Sequence, residues 1–234
     1  MRRARARSSS GVLVPTQEWM LEFPGAVVGA LVMRGVQNPA QSSPLEARKQ
    51  RLEQDLRDAE SARQGDDTDR VLQAYVDYYR ARGKTYHVKA QRESVAVKGR
   101  AIPSRAALVE AMFMAELENL ILTAGHDLTR VVLPLRVDVA REGDRYALMN
   151  GNEQAAAAGD MMMADGEGII STVLHGPDER TRIRPETRDV LFAAYAPVGI
   201  GEEEVRHHLA DIRANVLLVA PHAETGPLLT LPAS

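Results

Sequence analysis

A single α+β domain, with mixed β-sheet layers and helices packed outside, is predicted for this chain of 234 residues. Three observations predict it. The first is the order of patterns: one strand, three helices, several strands, then a last helix and strand. That order lacks the regular βαβ alternation of a doubly wound dinucleotide fold. The second is composition, 44% hydrophobic and 26% charged, which suits one substantial core at this length. The third is that no internal repeat is present and no apolar run approaches the roughly 20 residues that a membrane helix needs.

The opening stretch holds four arginines followed by serines, with nothing to bury, so residues 1–18 read as a disordered basic tail. Order is expected from Trp19, the domain over 19–222, and a C-terminal tail over 223–234. AVVGALVMRGV, Ala26 to Val36, is apolar and β-branched, the signature of a buried strand. Asn38-Pro39 and Ser42-Ser43-Pro44 end it and supply the cap and first-turn proline of a helix. In that helix Leu45, Leu52 and Leu56 line one face. RQGDDT is a loop whose Thr68 caps the next helix, where Val71, Leu72, Tyr75, Val76 and Tyr79 form an apolar stripe that Gly83 ends. Residues 84–102 are basic and irregular, in composition a loop. Pro103-Ser104 opens a third helix, from Arg105 to about Leu122.

Beyond His126 the period changes. LPLRVDVA alternates as a strand does, and RYALM follows after a Glu-Gly-Asp turn. MMMAD reads as pliable core packing. The apolar runs IISTVL and DVLFAAYAP flank HGPDERTRIRPET, His175 to Thr187, a charged turn between strands. Glu202 to Glu204 place negative charge in the first turn of a last helix, Asn215 closes it, and VLLVA is a final buried strand.

Several chemistries are excluded or disfavoured. Without cysteine there are no disulfides, thiolate metal sites or cysteine nucleophiles, a usage that fits a reducing compartment and hence the cytoplasm. No Walker phosphate loop, complete Rossmann fingerprint, nucleophile elbow or HExxH is present. His207 and Asp211 have i, i+4 spacing but no third ligand, so no metal or other cofactor is expected. His126, after a helix C-terminus that favours its protonated form, reads as a loop residue bonded to Asp127. The net charge of −3 argues against a general nucleic-acid coat. Yet from Arg80 to Arg105 there are eight basic residues against one acid, Glu93, with Tyr86 and His87 between them. Lys84, Lys89, Arg92, Lys98, Arg100 and Arg105 are therefore candidates for phosphate contacts, beside the plainer reading of a solvated basic loop.

Three blocks then matter together: RARGKTYHVKAQRESV, IPSRAALVEAMFMAELENLILTAGHDL and DGEGIISTVLHGPDERTRIRPETRDVLFAAYAP. In order and spacing, over about residues 25–220, they resemble the B-three/B-four domain, the editing domain of the phenylalanyl-tRNA synthetase β subunit. That domain also occurs as free-standing proteins. The resemblance implies a domain that binds the aminoacylated end of tRNA, with a pocket between the helix of the second block and the turn of the third. It places the family's turn carboxylate, which reads the hydroxyl of a wrong amino acid, on Glu179, and the family's Leu-Val-Asp run on Leu108, Val109 and Glu110. Where the synthetases carry a threonine–asparagine pair this chain has Met112 and Phe113, and Ala124 stands where they have a histidine. His126, two residues later, is a candidate substitute for that histidine. Met112, Phe113 and Ala124 imply an apolar pocket suited to an aliphatic or unsubstituted aromatic side chain.

Two functions follow from the resemblance. The first is a trans-acting aminoacyl-tRNA deacylase, metal-independent because the ester is already activated by the neighbouring ribose hydroxyl. In it Glu179 contacts the ammonium or side chain and Asp178 or His175 orders water. Its expected partners are the tRNA acceptor end and a synthetase, with neither DNA nor membrane. The second is a non-catalytic RNA- or small-molecule-binding module derived from the same domain, motivated by Met112, Phe113 and Ala124.

Overall fold

The computed structural model describes residues 13–62 and 70–233. It is an α+β domain of two five-stranded sheets and a small two-stranded ribbon, with six α-helices among the described residues packed around them. The predicted cap at Thr68 lies outside the described residues.

The first sheet runs β1 (Leu13–Pro15), β4 (Leu135–Val139), β7 (Met161–Asp165), β8 (Gly168–Thr172), β9 (Gly176–Pro177). Its β1–β4 pair is parallel and the others antiparallel, which makes the sheet mixed. The second sheet is antiparallel and centres on β2 (Val27–Arg34) and β10 (Asp189–Ala196), paired along their whole lengths. β3 (Thr123–Asp127) flanks β10, while β11 (Glu224–Thr225) and β12 (Leu229–Pro232) both pair with β2. β5 (Arg145–Ala147) and β6 (Glu153–Ala155) form the ribbon. The long apolar runs Val27–Leu31 and Val190–Ala196 are buried, as strands covered on both faces must be.

Four helices fill the stretch between β2 and β3: α2 (Ser43–Ser61), α3 (Arg70–Arg80), α4 (His87–Ala96) and α5 (Ala107–Asn119). Ser42 and Pro44 start α2 as predicted, and Leu45, Leu52 and Leu56 are its buried face. They pack with Val95, Met114 and Leu117 into a second core beside the main one. α1 (Gln17–Glu22) puts Trp19 into the main core, and α6 (Glu202–Leu217) lies against α5 and β2. Gly29 of β2 permits that approach, because a Cβ there would collide with Val205 and Leu209 of α6.

Three sequence expectations are corrected. Residues 84–102 are not all loop, since α4 occupies the middle of them. Val88 and Val95, one i, i+7 pair, are buried while the basic residues face out, and two anchors are too sparse for a visible period. VLLVA is not a strand. Val216 continues the buried stripe Val205, Leu209, Ile212 of α6, and Asn215 sits inside the helix with its amide donating to Ala111 O at 3.1 Å. Neither tail is wholly unstructured. Leu13–Pro15 and Leu229–Pro232 are edge strands, too short to show alternation and held by their neighbours' hydrogen bonds.

Candidate functional site

A cavity of about 300 Å³ opens between α5 and the turn that joins β8 to β9. Met112 and Glu116 reach it from α5, one helical turn apart and so on the same face. α5 ends at Leu120 in the left-handed region (φ 58°), and the chain reverses so that Thr123 and Ala124 of β3 form the adjoining wall. The opposite wall is Thr172 to Pro177. Tyr195 of β10 and His87, at the start of α4, also line it.

Tyrosines set both walls. The Tyr79 hydroxyl donates to Val173 O at 2.7 Å and that of Tyr146 to Gly176 O at 2.9 Å. Tyr78 donates to Asp160 Oδ1 at 2.7 Å, and Asp160 Oδ2 accepts from Leu174 N at 3.0 Å. On the other wall Tyr86 donates to Leu120 O at 2.9 Å, and Tyr75 accepts from Leu122 N at 2.9 Å while donating to Tyr195 O. Tyr75 and Tyr86 stack at 4.5 Å between centroids and 7° between planes. The carbonyls of Val173, Leu120 and Tyr195 are buried, so those three hydroxyls both locate the walls and satisfy polar groups that would otherwise cost about 1–3 kcal/mol each.

Glu116 is the acid of the cavity. It is buried, its Oε1 accepts from Thr123 N at 2.7 Å, and burial pushes its carboxyl up to about 8 against that hydrogen bond. Behind it Thr123 Oγ1 meets His208 Nε2 of α6 at 2.6 Å, and Asn119 donates to Asp211 at 2.8 Å. Burial brings His208 down to about 3, so the imidazole is neutral. His175 is also lowered, by burial first and by the Lys84 charge, with Asp160 opposing; its Nδ1 is buried without a partner.

A second layer stands behind Tyr195. The Tyr195 hydroxyl meets Ser171 Oγ, which lies 3.2 Å from His126 Nε2. His126 Nδ1 lies 2.8 Å from Thr181 Oγ1, and Thr181 donates to Asp178 Oδ1. Because the Thr181 proton goes to Asp178, His126 must be protonated on Nδ1 and accept on Nε2, and the chain runs one way from Tyr195 to the carboxylate. His126 is therefore not a loop imidazolium. It sits fully buried in β3, lowered by burial to about 3.

Superposition on the crystal structure of an N-terminal fragment of the phenylalanyl-tRNA synthetase β-subunit from Pyrococcus horikoshii gives a TM-score of 0.51 at 9% identity. The likeness is one of fold. It covers 99% of this chain and 57% of that one, so the chain spans little more than half the length of the fragment it matches. The sequence matches no protein-family model and no curated protein.

The residues singled out from sequence divide into three groups. Met112, Ala124 and His175 meet at the cavity. Asp178 and His126 belong to the layer behind it. Glu110, Phe113 and Glu179 lie off its lining. Glu110 faces α2, where its Oε2 takes Lys49 Nζ at 3.2 Å and its Oε1 the Arg105 backbone N–H. Phe113 packs on the second core. Glu179 holds Arg184 at 3.0 Å and Arg182 at 3.6 Å, and Arg182 in turn donates to the carbonyl of Met149, a residue of the cavity rim. Glu116, Thr123 and Tyr195 were not singled out. Glu116 was findable as the residue one turn beyond Met112, on the helix to which the resemblance assigns a pocket wall; nothing local marks the other two.

Of the basic candidates, Lys84, Lys89, Lys98, Arg100 and Arg105 are exposed and form no ion pair among the described residues, unlike Arg34, Arg48, Arg145 and Arg180. Lys89, Arg92 and Lys98 line a second cavity, of about 210 Å³. No helix among the described residues is long and apolar enough to cross a membrane, and no cluster of three or more His, Asp or Glu that could hold a metal occurs among them.

Proposed function

We infer that this chain is an editing-type tRNA-binding domain that takes the aminoacylated 3′ end of a tRNA and hydrolyses the ester in trans. One observation carries the reading. The cavity lies between α5 and the turn after β8, where the sequence resemblance implies an aminoacyl pocket, and the charge of Lys84, one of the exposed cations without an ion pair among the described residues, is felt by His175 of its lining. The fold likeness to a synthetase β-subunit fragment supports a tRNA-related role, with tRNA and a synthetase as the partners.

The walls formed by Met112, Ala124, Val173 and Leu174 favour an apolar amino-acid side chain. In the reaction a water adds to the ester carbonyl, the bond to the ribose oxygen breaks, the ribose regains its hydroxyl and the amino acid leaves as a carboxylate. Rate comes from holding the ester and one water in register. Release of labelled amino acid from a panel of mischarged tRNAs is the direct test: at least one with an apolar amino acid should turn over. Glu179→Ala run in the same assay decides whether that carboxylate acts, since an unchanged rate removes it from the mechanism.

The phosphate contacts have their own test. In K89A/K98A/R100A, the slope of log affinity for charged tRNA against log salt should shrink by about 2, roughly 0.7 for each single-stranded phosphate that is no longer neutralised. An unchanged slope would mean that these cations only keep the surface soluble. Salt-sensitive binding without turnover on any charged tRNA would instead identify a non-catalytic binding module.

A further inference from the structure

Buried acids in this protein are almost all neutralised or saturated from within. Glu110 has Lys49, Asp165 has Arg180 and three backbone N–H groups, and Asp127 accepts from Thr129 twice and from Thr187. Asp138 accepts from Thr16 and Val139 with Arg141 near, Asp160 from Tyr78 and Leu174, and Asp178 from Thr181 twice with Arg180 near. Glu116 alone among the described buried acids has a single hydrogen bond and no ion pair, and it is the one that lines the cavity.

A carboxylate in such surroundings is unfavourable unless a counter-charge arrives. Among the described residues none stands beside it. The imidazoles of His87 and His175, both lowered by burial, are neutral, and the remaining neighbours on the wall are apolar side chains and hydroxyls. Thr123 N–H fixes Oε1, Thr123 and His208 brace that wall from behind, and Oε2 is left for a ligand.

We propose that Glu116 is the receptor for a primary ammonium group on the ligand, which under the function inferred above, on which this rests, is the free α-amine of the aminoacyl ester. Glu116 thereby selects aminoacyl ends over their N-blocked or amine-free counterparts. The role is recognition and positioning: with the amine tied to Oε2, the ester carbonyl is held at a fixed distance from the α5 wall.

Four non-hydrolysable probes test this, each an amide of 3′-amino-3′-deoxyadenosine. Two carry an α-amine, alanyl and phenylalanyl, and two are their amine-free twins, propanoyl and 3-phenylpropanoyl. Titration calorimetry on the native protein should give an aminated form bound about 10- to 100-fold more tightly than its twin, the usual worth of a charge-assisted hydrogen bond in a dry site. In Glu116→Gln, which keeps the Thr123 hydrogen bond, that preference should vanish; the native comparison stands by itself if the variant folds poorly. Equal binding of twins by the native protein, or a preference that survives Glu116→Gln, overturns the amine receptor while leaving the aminoacyl cavity intact. Failure of the native protein to bind any of the four overturns the cavity reading as well.

Discussion

Stability is expected to peak near pH 6.5 and to fall on both sides of it, with unfolding on strong acidification. Two buried neutral imidazoles, His126 and His208, dominate the acid limb, each lowered from 6.5 to about 3. Between those values the unfolded chain binds a proton that the folded chain refuses, so each costs about 1.4 kcal/mol per pH unit as pH falls. Glu116 has the opposite sign. Raised from 4.5 to about 8, it keeps a proton in the folded state that the unfolded chain has lost, so it weakens the fold as pH rises across that window. From 6.5 down to 4.5 the net loss is therefore about 1.4 kcal/mol per unit, and below 4.5 about 2.7. Asp127 and Asp165, held low, add to the acid loss, while Asp160 and Asp178, held high, oppose it. Urea unfolding across pH 4 to 9 reads this directly. Glu116→Gln should remove the decline above pH 6.5 and double the slope between 6.5 and 4.5. A native profile flat from pH 4 to 8 would show that these groups are solvated.

Lys49→Met is expected to cost about 3 kcal/mol, the largest single loss among charge substitutions here. Lys49 Nζ is the counter-ion of Glu110 and also reaches Ser104 Oγ at 3.0 Å and Glu46 at 2.7 Å, tying α2 to the start of α5. Removing it strands the Glu110 carboxylate, which is only 5% exposed. The double variant K49M/E110L should recover to within about 1 kcal/mol of the native protein, because the penalty lies in the unpaired charge rather than in the missing attraction. Denaturant midpoints of the three proteins separate the two effects. If Lys49→Met is as stable as the native chain, the pair contributes nothing to holding α2.

The same pair shows how a helix parts residues that are neighbours in sequence. Glu110 precedes Met112 by two positions, so a helix turns it some 200° away from the cavity face and toward α2. A linear motif keeps such neighbours together; the helix separates them. Glu116 has the reverse history. It is four positions beyond Met112, in a run of Ala, Met, Leu and Glu where acids look solvent-facing. Only the return of β3 beneath it makes the position interior. His126 differs again: its neighbours in AGHDL spell a loop, and burial comes from pairing of β3 with β10.

Long apolar runs and their punctuation made much of the architecture readable from the chain itself: β2 and β10, the Ser42–Pro44 start of α2, the tyrosine-bearing α3, and the mixed α+β order. These are local periodicities, each strong enough to outweigh alternatives within its own window. α4, the edge strands at both ends and the final turns of α6 needed partners, because two or three buried residues carry too little local signal and their hydrogen bonds are made to distant segments. The cavity belongs to this second kind. Its walls join residues 112, 124 and 175, brought together by tyrosines 75 to 86, and the dielectric that lifts Glu116 and silences His126 exists only once those segments have closed over them.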